Sequence, residues 1–353
     1  MTRSRSPILI GFVSLVLVAS ACGESVARPA NSRDDQGAKL RLVTHESFVV
    51  SDGLLESFTI ETGIEVEVLA AGDAGELVSR AVLTAGDPEG DVLFGIDNTF
   101  LQRGLDADLF EPHESDGLSN VPDEFELDPQ HRVSPIDVSD VCVNYWVDEL
   151  GPDGPPEALA DLASPIYASQ FVTENPESSS PGFAFLLATI ARFGEDGWEQ
   201  YWQDLVDNGV AITSGWSEAY YDEFVAGGGE RSLVTSYASS PPAELIFADP
   251  PVDEPPTAVL LDSCFRQIEF AGILRGTELP FEASLLIDFM LGEDFQTDIP
   301  LNMFVYPVND QVLLPPQFEE FGPLAEDPIT MSPAAIEAGR LDWTERWHEI
   351  VLG

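Results

Sequence analysis

Between residues 40 and 97 the apolar pattern changes period four times, and that alternation constrains the fold more than any other feature of the chain. Residues 40–44 are a short apolar run of strand character, and Leu54, Leu55 and Phe58 then fall at helical offsets before Gly63. Residues 64–68 alternate as a strand and residues 76–85 return to helical spacing. Residues 91–96 form a strand of buried type that stops at Asp97. Strands separated by helices need crossover connections, and those build a parallel sheet with covered faces. Ligands of such sheets sit beyond the carboxyl ends of the strands. Glu46 and Asp97 each follow such an end, which singles them out from 63 acidic residues.

A second α/β block follows the Pro- and Asp-rich passage over residues 111–131. A strand is expected at 141–147, helices at 183–193 and 198–206, and a short strand at 211–213. Gly215-Trp216-Ser217 then leads into a helix over 218–226, stopped by glycines at 227–229. Residues 233–237 read as a strand, 250–256 as a surface loop, and 265–273 as a strand returning to the first block. Helices over 281–291 and 343–351 close the chain, with Leu285, Phe289, Trp343 and Trp347 at core spacing. No internal repeat is present. One lobe begun, a second inserted, then a return is the plan of a two-lobed binding protein whose hinge closes on a ligand in the cleft. The expected segments are 39–136 for the first lobe, 137–261 for the second, and 262–353 for the return. A chain of 353 residues suffices for both lobes.

The leading segment reads as an address. Arg3 and Arg5 precede an apolar run over residues 8–18 that is too short to span a bilayer comfortably. Ala19-Ser20-Ala21-Cys22 resembles a lipobox, so residues 1–21 are expected to be removed and Cys22 lipidated. An ordinary signal peptide cut near the Ala-Ser-Ala is the alternative. Residues 22–38, polar and small, form a tether. The body is then exported and held at the outer face of the membrane. Its two further cysteines, Cys142 and Cys264, lie in strand-like runs; one disulfide or two buried thiols are the readings open to an exported chain.

Charge removes whole classes of function. Fifteen Lys+Arg stand against 63 Asp+Glu, a net charge of −48, and Lys39 is the single lysine. Phosphate binding needs basic residues that are scarce here, so most nucleic-acid roles are ruled out and docking on anionic lipid through a basic patch is disfavoured. Such acidity attracts cationic ligands. The four histidines (His45, His113, His131 and His348) are scattered without metal-ligand spacing, and no cofactor is called for.

Six short motifs, in consistent order from about Leu40 to the end, resemble the thiamine-binding periplasmic proteins of bacterial ABC importers. Gly215-Trp216-Ser217-Glu218-Ala219-Tyr220 matches that family's Gly-Trp-Ser-Glu-Ala-Tyr. Ser236-Tyr237, followed by Ser240-Pro241, matches Ser-Tyr-Thr-Thr-Ser-Pro. Gly95-Ile96-Asp97-Asn98 matches Gly-Leu-Asp-Asn, and Ser180-Pro181-Gly182 stands at the Thr-Pro-Gly. His45-Glu46-Ser47-Phe48 corresponds to Tyr-Asp-Ser-Phe, and Tyr306-Pro307-Val308 to Tyr-Pro-Val. The resemblance implies a type II periplasmic-binding-protein fold and a monomer. It also implies thiamine or a thiamine phosphate as ligand and an importer permease as partner. Asp97 would contact the ligand from the first lobe, and Ser179, Trp216 and Tyr237 from the second. Glu46, Ser180, Tyr220 and Phe304 complete the expected set. A thiazolium cation and a flat aminopyrimidine suit aromatic faces, a cation–π contact contributing about 0.5–2 kcal/mol, together with a carboxylate partner.

Each of these residues has a plainer reading. Trp216 could be a hydrophobic staple at a helix start, Tyr237 a strand-packing ring, and Asp97 a cap on the following helix. The chain also departs from the family: Phe304 stands for Trp, Ala243 for Tyr, His45 for Tyr, and Glu177 for an Arg before the serines. A carboxylate at 177 is expected to repel a phosphate tail. Two other functions compete. Tyr220-Tyr221 offers the adjacent tyrosines of ferric-binding proteins of this fold. A thiaminase-like enzyme would use Cys142 as nucleophile with Glu46 or Glu218 as base.

Overall fold

The alternating segment folds as β1 (Lys39–Thr44), α1 (Leu54–Thr62), β2 (Glu65–Ala70), α2 (Ala74–Leu83) and β3 (Val92–Asp97), and the three strands pair in parallel. The computed structural model describes residues 37–353 apart from 153, 226, 227 and 323. The expected leader over residues 1–21, Cys22 and nearly all of the tether lie outside the described residues, as does the glycine at 227. Gly63 ends α1 with φ 74, and its N–H returns to the Thr59 carbonyl, as a left-handed cap requires. Asp73 starts α2, its carboxylate accepting from the Ala74 N–H at 2.6 Å. Every residue of β3 is buried, in keeping with its unbroken apolar run. Gly95 within it has φ 102, and a Cβ there would come 2.3 Å from the His45 ring, so only glycine fits.

Next come α3 (Leu101–Asp106), β4 (Phe110–Glu111), β5 (Ser134–Trp146) and β6 (Phe171–Glu174). They are followed by α4 (Ser180–Phe193), α5 (Trp198–Asp207), β7 (Ala211–Thr213) and α6 (Trp216–Glu218), the last running on as one π turn over Ala219–Glu223. β8 (Leu233–Tyr237), α7 (Ser240–Phe247) and β9 (Thr257–Leu274) follow. The chain closes with α8 (Pro280–Leu291), α9 (Glu293–Asn302), β10 (Tyr306–Pro307), α10 (Pro316–Phe321) and α11 (Pro333–Val351).

The strands form one sheet in the order β2-β1-β3-β9-β5-β8-β6-β7, with β4 on β9 and β10 on β5. Two long antiparallel strands run through both halves. β9 meets β3 between Glu269 and Ile273, and β5 meets β8 between Val141 and Tyr145. The halves are therefore joined by β5 and β9 alone within the sheet, an arrangement that can bend about those strands. Both are longer than apolar spacing predicts, because Asp137, Ser139 and Asp140 in β5 and Asp262 and Ser263 in β9 interrupt the pattern. Cys142 and Cys264 are joined by a disulfide across this pair, beside the register shift that follows Val141. Bonded in this way, Cys142 offers no thiolate, and the thiaminase-like alternative loses its nucleophile.

Two helices differ from expectation for local reasons. The helix expected over 218–226 gives way at Phe224, which turns extended (ψ 147) and bridges Arg231. α11 begins ten residues before 343, where Ser332 accepts from the Ala335 N–H and Pro333 opens the first turn. This helix braces both halves. The Arg340 guanidinium lies 4.2 Å from the ring centroids of Phe100 and of Phe183, and also donates to the Thr99 carbonyl. Trp347 meets Trp202 of α5 edge-on at 5.6 Å, and Arg346 pairs with Glu199.

Candidate functional site

The strand ends leave a cavity of about 360 Å³ between the halves of the sheet. From the first half, His45 and Glu46 follow β1, Asp73 follows β2, Glu269 projects from β9, and Phe304 follows α9. The second half contributes Ser180 at the start of α4 and Trp216, Tyr220 and Tyr221 on α6 and its π turn. It also supplies Tyr237 at the end of β8 and Glu244 and Phe247 on α7. A volume of this size, walled by rings with a few polar groups, is that of a small-molecule site.

The rings support one another. Trp216 stacks on Tyr220 (centroids 5.0 Å, 22°) and meets Tyr221 edge-on at 5.4 Å. Its indole N–H donates to the Ser236 hydroxyl at 2.9 Å, and Tyr237 lies 6.1 Å away. The Tyr220 hydroxyl donates to Glu244 at 2.7 Å; burial and then Glu244 push that phenol well above its usual range, so it stays a neutral donor. Phe304 holds a left-handed backbone (φ 57), a strained conformation for a bulky residue. Ser239, at the entry to α7, donates to its carbonyl and so links the halves, while the Phe304 ring meets Phe247 edge-on at 5.5 Å.

Acids dominate the polar wall. Glu46, Asp73, Glu244 and Glu269 all line the cavity, and among the described residues no lysine or arginine does. His45 Nε2 lies 3.5 Å from Glu269; burial would lower the imidazole, but Glu269 together with Asp73 and Glu46 holds it above its usual value. Burial pushes the Asp73 carboxyl up, opposed by the N–H groups of Trp216 and Ala74. Behind the wall, Asp137 is raised well above the usual carboxylate range by burial and then by its neighbours Glu269 and Asp97.

Contacts also cross between the halves. The Trp216 N–H donates to Asp73 at 3.0 Å, the Ser180 N–H reaches it at 3.5 Å, and the hydroxyls of Ser47 and Ser217 lie 3.4 Å apart.

Six of the expected residues reach the cavity: Glu46, Ser180, Trp216, Tyr220, Tyr237 and Phe304. Asp97 and Ser179 are buried and do not. One Asp97 oxygen accepts from the Thr99 N–H, the Thr99 hydroxyl and the Phe100 N–H; the other accepts from Ser180 and Gln267. The helix-cap reading therefore describes this carboxylate, and its link to Ser180 ties the start of α4 to the first half. Glu177 also stands off the cavity and lies 3.3 Å from His348. Ala243 leaves the wall short of a ring, and Phe247 one turn later and Tyr221 make up the loss. Asp73, Glu244 and Glu269 escaped the sequence reading. Asp73 carried a usable signal, since it follows a parallel strand just as Glu46 and Asp97 do. Glu269 lies within a long antiparallel strand and carried none.

The chain matches the family model described as bacterial extracellular solute-binding protein over residues 87–321. It is 28% identical to the thiamine-binding periplasmic protein of Escherichia coli over 318 residues, which cover 88% of this chain and 93% of that protein. A solved periplasmic thiamin binding protein superposes with TM-score 0.79 at 26% identity, covering 90% of this chain and 98% of the other. A ferric binding protein from Campylobacter jejuni superposes with TM-score 0.73 at 17% identity over 88% and 99% of the two chains, a likeness of fold alone. The architecture is the two-lobed type II periplasmic-binding-protein fold. With the family model spanning well over half its length, the chain belongs to the bacterial extracellular solute-binding proteins.

Proposed function

We propose that this protein captures thiamine outside the cytoplasm and presents it to the permease of an ABC importer. The observation that carries the reading is the cavity wall: six Phe, Tyr and Trp rings and four carboxylates, with no lysine or arginine among the described residues. A flat, permanently cationic ligand is what such a wall stabilises, through ring faces and nearby negative charge. The likeness to thiamine-binding periplasmic proteins in both sequence and fold supports the same choice. In this reading Trp216, Tyr237 and Phe304 cover the ligand rings, and Glu46, Asp73, Glu244 and Glu269 supply the compensating charge. Asp97 acts indirectly, by fixing Ser180 and with it the start of α4. Hinge motion about β5 and β9 brings the two walls together, with residues 39–136 and 262–353 moving against 137–261. Residues 1–21 direct export, a lipid on Cys22 holds the monomer at the membrane, and residues 22–38 give it reach.

Ferric iron is the second reading, favoured by Tyr220 and Tyr221 side by side on the wall. Burial and Glu244 push both phenols up, which opposes the phenolate that iron requires. Calorimetry of the mature protein against thiamine is expected to give one site per chain. Silence with thiamine, together with a visible tyrosinate–iron band on adding ferric citrate, would replace the vitamin with the metal.

A further inference from the structure

We propose that Ser239 is a positioning residue: it holds Phe304 in a strained backbone while the cleft is closed, and lets the Phe304 ring leave the wall when the cleft opens. The inference goes beyond the choice of ligand and rests on one part of the reading above, that the halves close on whatever is bound.

Among the described residues, four other than glycine have a positive φ: Asp108, His131, Ser169 and Phe304. Phe304 is the one of these that lines the cavity, and nothing in a phenylalanine side chain favours that conformation. Its place in the chain explains the turn. The Met303 N–H closes α9 on the Ile299 carbonyl, so Phe304 is the first residue past the helix cap. Chains commonly turn left-handed there, and glycine is the usual residue. A strained residue persists where its surroundings over-determine it.

Those surroundings belong to the other half. Ser239 is fully buried at the cap of α7, where a serine ordinarily accepts from N–H groups two and three residues further on. Here those residues are Pro241 and Pro242, which have no N–H, and the Ser239 side chain caps no part of its own helix. The hydroxyl donates instead to the Phe304 carbonyl, and Phe247 at the far end of α7 meets the Phe304 ring edge-on at 5.5 Å. One helix thus holds Phe304 by its backbone and by its ring. Separation of the halves removes both contacts and exposes the carbonyl to water, so the turn relaxes and the ring swings with it.

The test compares the mature protein with Ser239→Ala, alone and combined with Phe304→Ala. Hydrogen exchange of the ligand-free proteins reads the contact directly. In Ser239→Ala, residues 302–306 should exchange about tenfold faster while β5 and β9 keep their rates. Calorimetry and stopped-flow release read its consequence. Thiamine should bind Ser239→Ala about tenfold more weakly, through faster dissociation, the scale of one hydrogen bond left unmade in the closed form. In the Phe304→Ala background, which has no ring to misplace, Ser239→Ala should cost less than about threefold. Unchanged exchange at 302–306, or faster exchange throughout the sheet, overturns the proposal. Equal costs of Ser239→Ala with and without the ring overturn it too, since Ser239 would then tie the halves together without placing Phe304. Silence of the wild type with thiamine would instead refute the thiamine reading, and hydrogen exchange, which needs no ligand, would still decide the role of Ser239.

Discussion

A single methyl group at position 75 should uncouple binding from stability. Gly75 lies in the first turn of α2, facing the loop before α4 in the other half. A Cβ there would lie 2.6 Å from the Ser178 carbonyl oxygen, 2.8 Å from its carbon and 2.9 Å from the Glu177 oxygen. Ordinary contact begins near 3.4 Å, so the loop must retreat by about 0.8 Å. Within α2 itself, alanine for glycine favours the helix by about 1 kcal/mol. Overpacking at the contact costs about 1–3 kcal/mol, and opening the cleft relieves it. The penalty therefore falls on the arrangement in which the halves meet, which is the one that encloses a ligand. Gly75→Ala should weaken thiamine binding by about five- to 150-fold while the unliganded protein melts at the same temperature or higher. Calorimetry paired with thermal unfolding reads both quantities. Unchanged affinity would show that the α2 contact plays no part in binding, and a lowered melting temperature would show that the clash cannot be relieved by opening.

Other predictions follow from the wall and from what lies behind it. Trp216→Ala removes a ring stacked on Tyr220 and should cost about 1–3 kcal/mol of binding, whereas Asp97→Asn, off the wall, should lower the melting temperature more than the affinity; calorimetry and melting curves on both variants check this split. Stability should rise on acidification. Burial pushes the Asp97 carboxyl up to about 6 against the hydrogen bonds from Ser180 and Thr99, and burial likewise raises Asp137 and Glu174. The folded state therefore holds protons that the unfolded chain has already lost. The stabilisation is present at low pH and is lost as pH rises through about 6, on the order of 3 kcal/mol for Asp97. Unfolding that is equally or more favourable at about pH 5 than at about pH 7.5 would contradict this. Reducing the Cys142–Cys264 bridge, which spans 122 residues, should cost up to about 5 kcal/mol by chain entropy, read as a fall in melting temperature under reductant.

Much of the architecture is a local property of the chain. The alternation over residues 40–97 specifies three parallel strands, because period and capping residues act within one or two turns. Asp73 and Gly63 mark helix ends where neighbouring residues alone decide the conformation. The ring-bearing side of the site is legible for a related reason: Trp216, Tyr220 and Tyr237 sit in short motifs whose order survives in the chain. The polar side is not. Asp97, at a strand end, looks like a ligand anchor until tertiary structure surrounds it with five donors. Glu269 and Glu244 reach the cavity only because β9 crosses between the halves and α7 packs beside the π turn. Which carboxylate stays charged and which is buried depends on desolvation and on neighbours far apart in sequence. Period and spacing carry no record of those long-range distances, so the elements and the aromatic wall belong to the sequence, and the placement of charge belongs to the fold.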